Sequence, residues 1–206
     1  MFQSDKPRSR GFTLVEVMMA ATIIVIGFIG MIEAMAVSST MMAHSRRQLM
    51  ATQIINQEME RLRYTDWTTI SGLPTASTAM PIDRQFWPPW NSLTNYVVNS
   101  VVSYNGAWYR CTTAHKNQVP PNATYWTSVT AEATTDIVIF SGATYTLART
   151  FTSPDPVTNI REVNFTVTWV VTTSRRSGGT PLTFTYQRSN SAWFGKYGLN
   201  LSYQRS

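Results

Sequence analysis

The sequence is short of cysteine, histidine and charge. Its 206 residues include one cysteine and two histidines, and only 14% of them are Asp, Glu, Lys or Arg. A single cysteine, Cys111, cannot form an internal disulfide, and we expect it to be a small buried apolar residue. His44 and His115 have no partner at metal-ligand spacing, so the sequence predicts no metal site.

Patterns typical of enzymes and of nucleic-acid-binding proteins are also missing. No glycine-rich phosphate loop or nucleophile motif is present. Asp136, Asp155 and Glu162 do not have the paired spacing of a glycosidase acid and base. The net charge is +6, but the basic residues occur singly or in pairs, without the dense stripe that nucleic acid requires. We therefore expect a protein that is not an enzyme, uses no cofactor and binds no nucleic acid.

A long apolar run stands near the start of the chain, in the stretch RGFTLVEVMMAATIIVIGFIG, residues 10–30. Apolar character continues to about Val37, and about 20 such residues suffice to cross a bilayer. Basic residues ahead of a span are retained on the cytoplasmic side, and three precede this one: Lys6, Arg8 and Arg10. A signal peptide would be cleaved after its apolar region, whereas the small residue Gly11 lies before this one.

The stretch GFTLVE, Gly11 to Glu16, resembles the processing site of type IV prepilins and type II secretion pseudopilins when taken with the basic leader and the apolar helix. The resemblance implies that a prepilin peptidase cuts after Gly11 on the cytoplasmic face of a bacterial inner membrane. It also implies that the new amino group of Phe12 is N-methylated. The subunit would then leave the membrane and assemble, with other pilin subunits, into a periplasmic or extracellular filament.

Glu16 has a physical reason to serve that assembly. An unpaired carboxylate costs several kcal/mol in an apolar environment, and an ammonium group beside it relieves much of that penalty. By the resemblance, the new N-terminus of a neighbouring subunit supplies the ammonium. A plain membrane anchor with a stray glutamate is the alternative. The role of Glu33 stays open, and its simplest interpretation is a position at the periplasmic end of the span, where a carboxylate costs little.

The helical pattern continues beyond the span. Apolar residues recur at helical spacing, giving one apolar face: Ala51, Ile55, Met59 and Leu62. No proline occurs between Pro7 and Pro74, so the sequence predicts one helix from about Leu14 to Tyr64, roughly 75 Å long. We expect its first half to be transmembrane and its second half to lie on a sheet.

The end of the chain is typical of antiparallel strands. Val163 to Thr172 alternates apolar and polar residues, and the stretch 174–181 predicts a turn into an answering strand with Leu182, Phe184 and Tyr186. Asp136 to Phe140 and Thr144 to Phe151 predict a hairpin. This order resembles the globular part of PilV-like minor pilins. The fold class is therefore predicted as α+β, with the long helix packed on a C-terminal antiparallel sheet as in the pilin fold.

A segment of different composition separates helix and sheet: FWPPWNSLTNYVVNSVVSYNGAWYRCTTAHKNQVPPNATYWTSV, residues 86–129. It holds four of the seven tryptophans, which favours a small all-β insert with its own aromatic core. The aromatic spacing resembles carbohydrate-binding modules of families 5 and 12, on these residues: Trp90, Tyr96, Val102, Tyr104, Gly106, Tyr109, Pro121 and Trp126. We expect an insert core of Trp90, Tyr96, Tyr109 and Trp126.

The insert departs from that family in two places. Asn99-Ser100 replaces its Gly-Asp turn, which asparagine tolerates because it accepts positive φ. Thr113 and Ala114 stand where chitin-binding members have an exposed tryptophan pair. Trp108, Tyr104 and Trp87 are candidate substitutes for stacking on a polysaccharide such as chitin, but each is also a candidate packing residue. Glycan binding and a purely structural or protein-contact role both remain open.

These interpretations divide the chain into six segments: leader 1–11, assembly helix 12–37, amphipathic continuation 38–65, linker 66–85, insert 86–129 and sheet domain 130–206. The predicted function is that of a minor pilin-like structural subunit processed by prepilin peptidase. The alternatives are a pseudopilin of a type II secretion system, or a carbohydrate-binding adhesin in which the pilin part is only the anchor.

Overall fold

A computed structural model describes residues 12–152, 159–173 and 180–196. The predicted leader 1–11 with its cleavage residue Gly11, most of the predicted turn 174–181 and the C-terminal residues 197–206 lie outside the described residues. The chain divides into two compact units, residues 1–45 and 46–206. Helix α1, Leu14–Arg63, contributes residues to both units, and it confirms the predicted uninterrupted helix.

Within the described residues, the second unit contains ten strands and a short second helix. Helix α2 is Trp67–Gly72. The strands are β1 Thr78–Met80, β2 Asn95–Tyr96, β3 Val101–Tyr104, β4 Ala107–Cys111, β5 His115–Lys116, β6 Trp126–Ser128, β7 Val138–Phe140, β8 Ala143–Thr152, β9 Ile160–Thr173 and β10 Leu182–Gly195. The predicted α+β layout is confirmed, and it is consistent with the pilin fold that the resemblance implies.

The largest sheet of this unit is antiparallel and has five strands. Its order is β1-β8-β9-β10, and β7 pairs with β8 beside β1. The predicted hairpin is confirmed, since β7 and β8 are joined by Ser141 and Gly142, with φ of 50° and 70°. Two consecutive positive φ angles suit a tight two-residue hairpin turn, and glycine adopts them without a steric penalty. Arg47 donates from Nη2 and Nε to the Ser141 carbonyl oxygen, at 2.8 and 3.0 Å.

The apolar face of α1 in this unit packs on the sheet. The four residues predicted for that face, Ala51, Ile55, Met59 and Leu62, are all buried. They share one core with alternate side chains of β9: Val163, Phe165, Val167, Trp169 and Val171. The period of 3.6 in the helix and of two in the strand therefore converge on the same interior, as the sequence predicts.

One charged side chain of the helix is also buried. Glu58 is 3% exposed, and Arg61 Nη1 donates to its Oε1 at 3.1 Å. Burial raises the pKa of Glu58 above its ordinary value, because desolvation penalises the carboxylate, and the neighbouring Arg61 opposes part of that rise. Position 58 lies on the same helical face as Ile55 and Leu62, but a glutamate there does not by itself predict burial.

Strand β10 confirms the predicted answering strand. It extends over 14 residues and pairs with β9 throughout, and most of its side chains are exposed. Leu182, Phe184 and Tyr186 are 41, 46 and 36% exposed. The alternation correctly predicts a strand, but it does not reveal how far the helix covers the sheet.

The predicted linker 66–85 is partly ordered into secondary structure. Its residues include α2 and β1, and β1 pairs with β8. The Asp66 side chain caps α2 by accepting a hydrogen bond from the Thr69 N–H at 3.3 Å. The segment therefore belongs to the sheet domain as well as connecting to the insert.

Candidate functional site

Phe12, which directly follows the predicted cleavage point, is 80% exposed. Thr13 caps helix α1: the N–H of Glu16 donates to the Thr13 carbonyl at 3.1 Å and lies 3.3 Å from Thr13 Oγ1. Thr13 and Glu16 have the Thr-x-x-Glu spacing of a capping box, which is a sequence signal for this helix start. Glu16 consequently lies in the first helical turn, one turn from the predicted new N-terminus.

Every residue from Phe12 to Met42 is exposed. The helix is long and apolar enough to cross a membrane. An apolar surface this continuous is not stable in water and has to be covered by lipid or by neighbouring helices. Among the described residues, Glu16 has neither an ion-pair nor a salt-bridge partner. The described part of the chain therefore leaves this carboxylate available to a partner from outside.

The insert forms two small antiparallel sheets, β2-β5 and β3-β4-β6. Its core contains the buried residues Tyr96, Val102, Cys111 and Trp126, with Trp90, Tyr109 and Tyr125 packed against them. The indole N–H groups of Trp90 and Trp126 both donate to the Gln118 carbonyl oxygen, at 3.0 and 2.8 Å. The four residues predicted for the insert core therefore come together in the structure. Cys111 is buried as expected, and burial raises the pKa of its thiol.

The replaced turn adopts the conformation that the sequence predicts. Asn99 has φ of 70°, in the left-handed region that asparagine enters more readily than most residues. The following Ser100 is fully buried, and its Oγ accepts a hydrogen bond from the Val97 N–H at 3.0 Å. Asn99-Ser100 can thus form the turn that the carbohydrate-binding modules form with Gly-Asp.

The insert is joined to the sheet domain over a shared core. Trp87 and Val101, both from the insert, belong to the large core that α1 and the sheet enclose. Ile137, next to β7, donates to the Asn99 carbonyl at 2.9 Å and accepts from the Val101 N–H at 3.1 Å. The expectation that the insert is closed by its own core therefore needs correction, because part of its apolar surface is buried against the sheet domain.

A buried ion pair reinforces this junction. Arg110 of β4 binds Asp136 through both Nε and Nη2, the second at 3.0 Å. The Asp136 side chain is 1% exposed and also accepts the Ala133 N–H at 2.7 Å. Fork-shaped pairing of this kind is both directional and strong. No pattern in the sequence indicates that Asp136 pairs with Arg110.

The three candidate sugar-stacking residues differ in exposure: Trp87 is buried, whereas Tyr104 and Trp108 are half-buried. Trp87 is 4% exposed and donates its indole N–H to the Ile82 carbonyl at 3.2 Å, so its place in the core is incompatible with stacking on a sugar. Trp108 packs against the large core, and the Arg84 guanidinium lies 4.7 Å from its ring centroid. Tyr104 meets Trp90 edge to face at 6.1 Å. Thr113 and Ala114 are exposed and supply no ring.

His115 is enclosed by aromatic rings of the insert. Its ring centroid lies 5.5, 5.0 and 4.8 Å from those of Tyr96, Tyr125 and Trp126. Both of its nitrogens are buried and have no hydrogen-bond partner in the part of the chain that the structure describes. Burial lowers the pKa of His115 below its ordinary value, because the imidazolium loses solvation there.

We expect the insert to lose stability in mild acid because of His115. Its folded-state pKa lies below that of the unfolded chain, so the unfolded state binds the proton first. The stabilising contribution is complete above the unfolded pKa of about 6.5 and decreases as the pH falls through the folded pKa. We therefore expect the backbone amides of residues 95–128 to exchange hydrogen faster at pH 5 than at neutral pH, once both rates are corrected for the intrinsic effect of pH on exchange. His115→Phe should reduce that difference and His44→Phe should retain it; an unchanged pH dependence in His115→Phe would contradict the assignment.

Among the described residues, no group of three or more histidine, cysteine, aspartate or glutamate side chains could hold a metal ion. The described residues present the Glu16 carboxylate on an exposed apolar helix, and an aromatic insert that shares core residues with the sheet domain. Neither feature assembles a nucleophile with a base.

Comparison with known proteins bears on the N-terminal region. A family model described as the prokaryotic N-terminal methylation motif matches residues 6–32. No curated protein sequence and no solved structure gives a significant match to the chain. The motif includes Gly11, Phe12 and Glu16, and it points to a structural subunit that assembles with other pilin subunits. Together with the apolar helix, it supports a type IV pilin-like or pseudopilin protein that is processed by prepilin peptidase and anchored in the membrane as a precursor.

Proposed function

We propose that the chain is a minor pilin-like subunit of a type IV pilus or related filament. Prepilin peptidase cleaves it after Gly11, Phe12 becomes the N-methylated N-terminus, and Glu16 pairs with the N-terminus of a neighbouring subunit. The proposal rests on the N-terminal region, where a methylation motif leads into an exposed apolar helix. Glu16 lies in the first turn of that helix and has no ion-pair partner among the described residues. A pseudopilin of a type II secretion system would undergo the same cleavage, N-methylation and Glu16 pairing, but it would assemble in the secretion system instead of a pilus.

The minor role rests on the globular unit. A subunit that builds the bulk of a filament has to repeat its contacts many times with identical copies. This chain carries an insert of about 40 residues that bridges to Ile137 beside β7 through Ser100 and shares the large core through Trp87 and Val101. Such a feature suits a subunit present at one or few positions, where it does not have to be accommodated at every repeat.

We propose a structural role for the insert itself. Trp87 and Val101 of the insert are part of the large core. The Arg110–Asp136 ion pair joins β4 of the insert to the residues before β7. The candidate rings for sugar stacking are engaged in packing. An adhesin would be recognised instead by retention of the full chain on chitin that is lost in Trp108→Ala.

Processing is the first test of this function. We expect co-expression of the full chain with a prepilin peptidase to remove residues 1–11 and to leave a mature chain that begins with N-methylated Phe12. Mass spectrometry of the membrane fraction measures both changes, and a catalytically inactive peptidase is the control. A chain that keeps the Gly11–Phe12 bond intact beside active peptidase would contradict the proposed function.

A further inference from the structure

A groove of about 640 Å³ lies between helix α1 and the first residues of the insert. All of its lining residues belong to the second compact unit, 46–206. On the helix side it is lined by Gln53, Asn56, Gln57 and Glu60. Because residues three and four apart are neighbours on a helix surface, these side chains form one polar stripe. The volume is in the range of roughly 300–1,000 Å³ that is usual for small-molecule sites.

The polar groups of the groove are mainly neutral amides. The side chains of Gln53, Asn56, Gln57 and, across the groove, Gln85 have no hydrogen-bond partner in the part of the chain that the structure describes. Among the described residues that line the groove, Glu60 is the charged one, and its Oε1 accepts from Arg63 Nη1 at 2.6 Å. The groove therefore offers amide donors and acceptors without an uncompensated charge.

The opposite wall is apolar and is held in place by the insert. It is formed by Phe86, Pro88 and Pro89, with Phe140 at the end of β7. The Ser103 N–H of β3 donates to the Pro88 carbonyl at 2.9 Å, which ties this segment to the insert sheet. Proline has a fixed φ and no N–H, so the wall presents rigid ring surface instead of backbone donors. A wall that is already ordered loses little entropy when a ligand binds.

This combination favours a neutral ligand that is rich in hydroxyl groups. A carboxamide carries an acceptor oxygen beside its N–H donors, and a hydroxyl group both donates and accepts. One amide can therefore bond two neighbouring hydroxyl groups of a ligand. A charged ligand would find no free opposite charge on the groove lining, since the Glu60 carboxylate is already paired. The C–H face of a sugar ring is apolar and gains by packing on proline and phenylalanine rings.

The usual modes of peptide docking fit the groove less well. An amphipathic helix needs a continuous apolar groove, and the amides of Gln53, Asn56 and Gln57 interrupt this one. Strand addition uses backbone groups at a sheet edge, whereas the polar groups here are side chains of a helix. Proline-rich peptides dock between aromatic rings, but Phe86 is half-buried and Trp87 is only 4% exposed.

We propose that this groove binds a neutral oligosaccharide. The amides of Gln53, Asn56 and Gln57 bond its hydroxyl groups, and Pro88 and Pro89 pack against the face of a sugar ring. The insert supplies one wall of the site, which is compatible with its structural role. The earlier candidates Tyr104 and Trp108 are not part of the lining. The inference goes beyond the proposed function and does not rest on it.

The test titrates the full uncleaved chain, purified in a detergent without a sugar headgroup, with maltotriose, cellotriose and triacetylchitotriose. We expect at least one of these neutral trisaccharides to give saturable binding by isothermal titration calorimetry. Trigalacturonate, which carries carboxylates, should not bind. Retention of the chain on amylose, cellulose or chitin then distinguishes a polysaccharide surface from a free oligosaccharide as the source of the sugar.

The groove is tested by replacing two of its amides together. Asn56→Ala combined with Gln57→Ala should weaken the binding about tenfold, because two neutral hydrogen bonds are lost. Alanine has the highest helix propensity, so we expect this variant to fold, and its thermal unfolding curve checks that. Gln187→Ala is the matched control, since Gln187 is an exposed amide of β10 outside the groove. Its affinity for the sugar should equal that of the wild type.

Four results would overturn the inference. Absence of saturable binding by every neutral trisaccharide would show that the groove takes no such ligand. Wild-type affinity in the double variant would place the sugar elsewhere, and loss of binding in Trp108→Ala would assign it to the other rings of the insert. Tighter binding of a capped trialanine peptide than of any sugar would assign the groove to a polypeptide. Sugar binding that occurs only when the chain ends at Lys196 would assign the groove to residues 197–206.

Discussion

Replacing Glu16 with alanine is expected to leave precursor cleavage intact and to lower incorporation into filaments about 10- to 100-fold. A carboxylate within a span costs about 2.5–3.5 kcal/mol on insertion scales. Docking against a neighbouring N-terminus recovers a large part of that penalty, and each 1.4 kcal/mol is about tenfold in an equilibrium. The alanine variant carries no penalty as an isolated subunit and gains nothing on docking. Quantitative immunoblots of membrane and sheared filament fractions measure the change.

Two variants control for this result. Glu33→Ala removes the other carboxylate of the apolar helix and should alter incorporation little, because no pairing role is assigned to it. Glu16→Gln keeps size and polarity without charge, so it should resemble alanine if the ion pair is the cause. Incorporation of Glu16→Ala at the wild-type level would remove the pairing argument.

The second large effect concerns the junction between insert and sheet. Asp136→Ala should lower the free energy of unfolding by about 3–5 kcal/mol, because it leaves a partly buried guanidinium without its partner. Asp136 also accepts the Ala133 N–H, and that donor would lose its partner as well. Equilibrium denaturation of the full chain in detergent, followed by tryptophan fluorescence, measures the change.

Glu132→Ala provides the matched control for Asp136→Ala. Glu132 pairs with Arg84 at 3.3 Å, but both side chains are partly exposed, so the pair should contribute about 0–1 kcal/mol. The two variants remove one carboxylate each from the same five-residue stretch, 132–136. Equal effects would show that burial of the Arg110–Asp136 pair is not what holds the insert to the sheet.

Features that depend on local pattern could be predicted from the sequence. The helix follows from its apolar period and the absence of proline, and the left-handed turn follows from the asparagine at position 99. The strands at 138–140, 143–152 and 160–173 follow from alternation bounded by turn residues. In each case the signal lies within a few residues of the feature that it predicts.

Features that depend on distant contacts could not be predicted in this way. Arg110 and Asp136 are 26 residues apart, and no local pattern assigns one to the other. Trp87 and Trp126 are both buried tryptophans of the insert, yet Trp87 belongs to the large core and Trp126 to the insert core. Exposure of Phe184 depends on how far the helix covers the sheet, which alternation within a strand does not encode.

The fused insert has a mechanical consequence. A module on a flexible linker would swing freely and pass on little of a load applied to it. Here a pull on the insert reaches the sheet through two backbone hydrogen bonds at Ile137, through a buried ion pair and through Trp87 in the common core. These contacts are loaded in parallel, so none has to bear the force alone. The insert and the sheet therefore resist tension as one body.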